Sequence, residues 1–281
     1  MMRILFVAFF LSGFAACAGA QTQTAPGTAP AQTGTSAVKP TDRKPTPRAK
    51  ATAKQPVAAE SGRCRLGVIP AIGDRFAVQK FGVTVFETEE SEVSVEGWGL
   101  DDLVVARVRA ATGADPTVRR IAYPKGAFES FYHPTSRILP DPREGLPAIV
   151  RSITPSTKCE RYLVVTRFKG QLPGTNLMLD GIGAYNRGLG TLIRHSHLFA
   201  NISVSMLDGS TYERISRPFA NFGTRLSESL RVTEDPLTKL DNSLFPEPAT
   251  AVQGNATLRE RTRALVAATL DQTLPDYFKN D

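Results

Sequence analysis

The motifs of most enzyme classes are missing from this chain of 281 residues. It has no Gly-x-Ser-x-Gly elbow of a serine hydrolase and no Gly-x-Gly-x-x-Gly or Gly-Lys-Ser/Thr of a phosphate-binding loop. The Cys-x-x-Cys spacing of redox and zinc sites is missing too. With three cysteines and three histidines, the sequence indicates compartment and architecture much more strongly than it indicates chemistry.

Large apolar residues are missing from residues 21–61, which contain six prolines and no Ile, Leu, Phe, Tyr or Trp. Such a segment cannot bury enough apolar surface to offset the entropy of ordering it. We therefore predict a disordered Pro/Ala/Thr/Lys tether. Fully stretched, it spans roughly 120 Å, whereas a flexible coil of this length spans about 35 Å.

A short apolar run at residues 4–11 follows the single positive charge of Arg3. It is too short to cross about 30 Å of hydrocarbon as a helix, so residues 1–20 are interpreted as a signal peptide. Two processing sites overlap behind it. Ala18 and Ala20 suit cleavage after Ala20, whereas residues 14–17, which end at Cys17, resemble a bacterial lipobox with Phe in place of Leu. We expect an exported protein, periplasmic or attached to the outer membrane through acylated Cys17.

The net charge of +7 comes mainly from the tether, and residues 62–281 are close to balanced. Because no nucleic-acid-binding motif accompanies the basic residues, no nucleic-acid partner is expected. The basic residues of the tether are either simply solvated or weakly attracted to anionic envelope surfaces. The tether cations are Lys39, Arg43, Lys44, Arg48, Lys50 and Lys54.

Cys64 and Cys159 form an even pair once Cys17 is removed or acylated. Each cysteine stands shortly before an apolar, β-rich run, so parallel neighbouring strands would bring the two sulfurs to the same end of a sheet. An exported protein permits a disulfide there, and two separate buried thiols are the alternative.

Residues 62–281 are long enough for one α/β domain, a mixed sheet covered by helices. A β-α-β passage over residues 66–123 predicts parallel strands, and residues 161–168 are the strongest central strand. Residues 177–215 are predicted to be antiparallel, with a two-residue hairpin turn at Asp208-Gly209. The predicted strands lie at 66–72, 76–79, 83–86, 118–123, 161–168, 177–185, 193–207 and 210–215, and the predicted helices begin near Asp101, Leu146 and Asn255.

A resemblance accompanies this order of elements. With its export signal and tether, the chain is similar to periplasmic and outer-membrane accessory proteins related to the N-terminal domain of TolB and to lipoproteins of the CsgG and LpoB type. The segments Gly67-Val-Ile-Pro-Ala-Ile-Gly-Asp74 and Trp98-Gly-Leu-Asp-Asp-Leu-Val-Val-Ala-Arg107 resemble uncharacterised exported proteins of alphaproteobacteria. These likenesses imply an envelope protein and carry no functional residue.

His195 and His197 are the metal-ligand candidates, since residues two apart on a strand point to the same side. A third ligand would come from elsewhere, for example Asp180 or His133. The alternative is an exposed polar strand face with no metal and no cofactor.

Two acidic groups and a lone aromatic residue have competing interpretations. Asp101 and Asp102 are either a hydrolytic carboxylate pair or residues that cap a helix and interact with its dipole. Trp98 lies on an exposed surface or packs in the core. An acidic run forms either a cation site or a charged hairpin tip, and it lacks the ligand pattern of a calcium loop. Its residues are Glu87, Glu89, Glu90 and Glu92.

The glycines at 181, 183, 188 and 190 have no phosphate-loop frame and predict bulged β-structure. Together these observations predict a non-catalytic envelope protein that binds a protein or polymer partner of unknown identity. The alternative is a periplasmic hydrolase with His133 or His195 as general base.

Overall fold

The computed structural model describes residues 62–82, 88–136, 141–172, 175–189, 193–216 and 237–278. The predicted signal peptide, Cys17, the tether, Glu87 and the predicted strand at 83–86 lie outside these residues. Within them the chain is α/β with mixed parallel and antiparallel sheets, which confirms the predicted fold class.

The described strands, in chain order, are β1 (Cys64–Ala71), β2 (Arg75–Phe81), β3 (Glu89–Ser94), β4 (Val118–Arg120), β5 (Cys159–Arg167), β6 (Lys169–Gln171), β7 (Met178–Asp180), β8 (Ile182–Leu189), β9 (Ile193–Ala200), β10 (Ile202–Asp208) and β11 (Lys239–Leu240). The described α-helices are α1 (Leu100–Ala111), α2 (Glu129–Tyr132), α3 (Leu146–Ile153), α4 (Ala256–Thr273) and α5 (Pro275–Phe278). Short 3₁₀ turns at Glu96–Trp98, Pro142–Glu144, Asn242–Leu244 and Ala249–Val252 connect them.

One described sheet has the order β10-β5-β1-β4. β1 runs parallel to both β4 and β5, and β10 pairs with β5 in the antiparallel direction. The passage β1-α1-β4 is therefore the predicted crossover, and β5 is the predicted central strand. After β1, the next strand of this sheet along the chain is β4, at one edge. After β5, it is β10, at the other edge.

A second described sheet has the order β11-β9-β8-β2-β3, and β6 and β7 form a small hairpin. The predicted continuous strand at 193–207 is wrong in one respect: it is two strands, β9 and β10, that belong to different sheets. The break is at Asn201, whose Nδ2 donates to the Leu179 carbonyl at 2.8 Å and whose own carbonyl accepts from Phe168 N at 3.0 Å. These bonds turn the backbone away from β9.

Glu89, Glu90 and Glu92 lie within strand β3, so the prediction of a hairpin tip is wrong for them. β3 pairs antiparallel with β2, and its acidic residues bind side chains of β2. Arg75 Nη1 lies 2.7 Å from Glu92 Oε2, and Gln79 Nε2 donates to Glu90 Oε1 at 2.9 Å. Such cross-strand pairs stabilise an edge strand, and its charges oppose pairing with another chain.

The turn after β10 is longer than the predicted two-residue hairpin. Asp208 Oδ1 accepts from the backbone N–H groups of Ser210 and Thr211 at 2.8 and 2.9 Å, which closes an Asx turn. The chain rejoins β10 only at Glu213, whose carbonyl accepts from Asp208 N. The predicted strand at 210–215 is therefore wrong and is reduced to one bridge, between Leu207 and Arg214.

Helices cover both faces of the β10-β5-β1-β4 sheet because its central strands are apolar on both sides. Leu163 and Val165 of β5 pack on the side of α1 and α4, whereas Tyr162 and Val164 pack on the side of α3. Trp98 is buried with its ring centroid 5.2 Å from that of Phe76, so the core interpretation is confirmed.

The long C-terminal helix begins as predicted. Asn255 caps α4, since its Oδ1 accepts from Leu258 N at 2.9 Å. One face of α4 packs in the core with the residues Leu258, Leu265, Val266 and Leu270.

Cys64 and Cys159 are register partners on the parallel strands β1 and β5 and are joined by a disulfide, with their Cα atoms 4.6 Å apart. This confirms the prediction that the sulfurs meet at one end of the sheet. The bond crosslinks residues 95 positions apart in sequence. Closing so long a loop restricts the unfolded chain, which stabilises the fold.

Removal of the disulfide tests this contribution. A Cys64→Ala/Cys159→Ala variant is expected to lose about 2–4 kcal/mol of unfolding free energy in urea titrations. Reductant should destabilise the parent protein by a similar amount and leave the double variant unchanged. Equal stability of the oxidised parent and the variant would contradict the assignment.

Candidate functional site

A cavity of about 490 Å³ opens at the carboxyl ends of β1 and β4. The loop after β1, the beginning of α1 and residues 120–132 form its walls. In open sheets with parallel strands, ligands bind in the crevice beyond the carboxyl ends, where neighbouring connections diverge to opposite sides. The cavity shares the position beyond the carboxyl ends, at β1 and its parallel neighbour β4.

The segments 67–74 and 98–107 meet at this cavity. The first ends in Gly73-Asp74, and the second supplies Asp101 at the start of α1. Ile72 N donates to Asp101 Oδ1 at 3.2 Å. A Cβ at Gly73 would lie 2.7 Å from the same oxygen and 3.0 Å from Asp101 N, so the close approach of loop and helix requires glycine there.

Asp101 does not cap α1, so the capping part of the predicted role is wrong. The helix begins at Leu100 after Gly99, whose φ is 63°, without a capping side chain. The Asp101 carboxylate instead accepts from the loop after β1, while that of Asp102 pairs with Arg120. The two carboxylates therefore have different partners. Both still complement the positive end of the helix dipole.

Most carboxylates that line the cavity have a cationic partner. The pairs are Asp74 with Arg167 (3.3 Å), Glu96 with Lys125 (2.7 Å), Glu129 with Arg75 (3.5 Å) and Asp102 with Arg120. Among the residues that the structure describes, Asp101 is the cavity carboxylate without an ion pair. It is also half-buried, unlike the exposed Asp102.

Burial raises the pKa of Asp101, and hydrogen bonds from Ile72 and Gly73 oppose this shift. Tyr123 Oη lies 3.5 Å from Asp101 Oδ2 but makes a closer contact, in which it donates to the Pro70 carbonyl. A phenol has one proton to donate. The contact of Asp101 Oδ2 with the Tyr123 hydroxyl is therefore weak. Burial, followed by the Asp101 charge, raises the pKa of Tyr123.

One side of the cavity is aromatic. The rings of Tyr123 and Phe128 meet edge to face with centroids 5.1 Å apart, and Tyr132 donates to the Ala71 carbonyl. Behind this wall Arg167 lies over the Tyr132 ring at 4.7 Å. The Arg167 side chain is 10% exposed and is held by Asp74. The cavity thus combines one unpaired acceptor with apolar surface.

The histidines lie elsewhere. His195 and His197 lie in β9 and line a separate groove of about 260 Å³ with Lys239 and Asp241. His197 stacks on Tyr185. The described residues contain no group of three or more His, Cys, Asp or Glu placed to hold a metal ion, so neither Asp180 nor His133 completes a site with this pair.

His133 contacts a residue of the cavity wall. Its Nε2 lies 3.4 Å from Glu129 Oε1, and both side chains are more than half exposed. His133 itself does not line the cavity. The glycine-rich segment is β-structure, as predicted, since Gly183 lies in β8, where a Cβ would lie 2.2 Å from the Ala77 carbonyl.

Sequence reasoning missed the cavity, although a signal was present. Gly73-Asp74 stands at the carboxyl end of a predicted strand in a β-α-β passage, and Asp101 opens the helix of the same passage. Those two positions necessarily meet at the carboxyl edge of the sheet. The contributions of Tyr123 and Tyr132 depend on the irregular segment after β4, which no sequence periodicity describes.

Comparison of the chain with protein-family models, curated proteins and solved structures finds no match. None of the helices in the described part of the chain has both the length and the apolar character of a membrane span.

The raised pKa of Asp101 gives a pH test. Its folded pKa lies above its ordinary value of 3.8, so the folded state favours the neutral form and the charged form costs stability. As pH rises from about 4 through the folded pKa, the parent protein should lose stability relative to Asp101→Asn. Below 3.8 both states are protonated, and the difference should become constant.

Urea titrations at a series of pH values measure this difference. Asp271→Asn serves as the control, because Asp271 is an exposed carboxylate on α4 that pairs with Arg107. A parent protein that gains stability over Asp101→Asn with rising pH would show that the hydrogen bonds outweigh burial.

Proposed function

We propose that this chain is a non-catalytic, exported envelope protein that binds a protein or an envelope polymer through its α/β domain. The observation that carries the proposal is the cavity at the carboxyl ends of β1 and β4, because its position and its volume of about 490 Å³ suit a ligand site. Its walls consist of paired charges and aromatic rings around Asp101, a composition that suits selective binding.

The signal peptide and tether support export, and the Cys64–Cys159 disulfide is compatible with an oxidising compartment. In this proposal the tether lets the domain reach a partner at a distance from a membrane or wall. Attachment through acylated Cys17 remains the alternative to soluble release after Ala20.

A hydrolase with His133 as general base is the second candidate, favoured by the 3.4 Å contact between His133 and Glu129. A base also needs a nucleophile or an activated water in a cleft. In the described residues the side-chain contact of His133 is with Glu129 of the cavity wall, both side chains are more than half exposed, and His133 itself does not line the cavity. Binding is therefore the better-supported function.

Intact mass tests the compartment. Expressed in a bacterium with an outer membrane, the mature protein is expected to begin at Gln21 and to weigh about 2 Da less than its reduced form. A Cys17→Ser variant should give the same mass. Acylated Cys17 at the N-terminus would instead establish lipidation, and an uncleaved cytoplasmic chain with reduced thiols would contradict export.

Blocking the cavity tests its function. Ala122 is an exposed residue of the cavity wall, so Ala122→Trp should fill the opening with little effect on folding. Cross-linking in envelopes of the source organism, followed by purification, is expected to recover about tenfold less partner with this variant.

Ala106→Trp provides the matched control, since Ala106 is exposed on α1 and lies outside the cavity. It should recover as much partner as the parent protein. Equal recovery with both variants would place partner binding on another surface.

A further inference from the structure

Asp101 provides a weakly held acceptor on the cavity wall. The carboxylate accepts from the backbone of Ile72, at Oδ1, and is also stabilised by the backbone of Gly73, whereas Oδ2 lies 3.5 Å from the Tyr123 hydroxyl. That hydroxyl donates to the Pro70 carbonyl. A half-buried carboxylate oxygen without a close donor is costly unless a ligand or solvent completes its hydrogen bonds.

The surrounding charges indicate the sign of a ligand. In the described part of the chain, the charged residues that line the cavity include more carboxylates than cations. The carboxylates are Asp74, Glu96, Asp101, Asp102 and Glu129, and the cations are Arg120 and Lys125. Arg120 also attracts the Asp101 carboxylate. An anion would therefore meet net repulsion at this position, whereas a cation would pair with Asp101 without breaking an existing ion pair.

The kind of cation is indicated by the number of protein ligands available to it and by the aromatic residues of the cavity wall. A divalent metal needs several oxygen ligands, and the described residues contain no group of three or more candidate side chains. An ammonium or guanidinium group can bind through one carboxylate. Tyr123 and Phe128 offer aromatic surface to its alkyl stem and charge.

We propose that the cavity binds a protonated amine or guanidinium group carried on an alkyl stem, which donates to Asp101 Oδ2 while the stem packs on Tyr123 and Phe128. This inference rests on the proposed function and names the chemistry that its site recognises. A free alkyl diamine and a lysine or arginine side chain of a partner share that chemistry.

The test titrates the mature exported protein with defined probes and follows the backbone amide resonances of Gly73 and Asp101. Cadaverine and N-acetyl-lysine methylamide represent the free amine and the side chain. Pentane-1,5-diol is the uncharged counterpart of cadaverine. Saturable shifts with a charged probe, and at least about tenfold weaker binding of the diol, are expected. The tighter of the two charged probes identifies the source.

Two variants locate the site. Asp101→Asn keeps an oxygen for Ile72 N and should weaken binding of the charged probe about tenfold or more. Ala122→Trp leaves the Asp101 hydrogen bonds in place and should also abolish binding, so the test does not depend on the folding of one variant. Asp271→Asn, which removes an exposed carboxylate outside the cavity, should bind like the parent protein.

Cadaverine binding that survives both cavity variants would overturn the inference, as would equal affinity for the diol, no binding of either charged probe, or a tighter response to calcium chloride. The proposed function is tested separately, by the recovery of the cross-linked partner. If the amine probes do not bind but Ala122→Trp still loses the cross-linked partner, the cationic ligand is wrong and the binding function stands. If partner recovery is unaffected, partner binding lies on another surface and the cavity is not its site, whatever the probes show.

Discussion

The parallel pairing of β1 and β5 is the constraint on which the rest of the structure depends. It aligns Cys64 with Cys159 at the amino end and carries seven matched positions along the two strands. Parallel strands need long crossover connections, here formed by α1 and α3 with the loops around them. The same pairing therefore determines which faces the helices cover and which loops meet at the carboxyl end.

The second determinant is the contact between the loop after β1 and the start of α1. The Asp101 side chain does not cap the helix and accepts a hydrogen bond from Ile72 N instead. Gly73 has no side chain, which leaves room for the Asp101 carboxylate. Because this contact joins a strand end to a helix start, it positions the cavity wall directly. The cost is a half-buried carboxylate whose second oxygen is poorly satisfied. Departures from local rules of this kind are common at functional sites, where the compensating interaction is with a ligand.

Elements with strong local signals could be predicted from the sequence. Only neighbouring residues are needed to predict the apolar strand β5, the Asn255 cap and the helix after it. The disulfide between the two cysteines follows once their strands are predicted to be parallel. The predicted strand at 193–207 failed because its break depends on Asn201 binding Leu179, a contact between distant segments. The Asx turn at Asp208 failed for a local reason, since Asp-Gly suits both a tight hairpin and a longer turn. The cavity depends on residues 120–132, most of which lie between β4 and α2. The path of this segment is determined by the packing of Phe128, Tyr123 and Tyr132.

The disulfide and the cavity lie at opposite ends of the same sheet, and this separation has a physical consequence. A covalent crosslink acts mainly on the unfolded chain, so it stabilises the domain without constraining the loops at the carboxyl end. That stability offsets the cost of the half-buried carboxylate of Asp101. Under the proposed function, the part of the loop after β1 that is not buried, Gly73 and Asp74, can then serve binding rather than packing. The crosslink thus allows the described α/β fold to keep a polar cavity at the other end of the sheet.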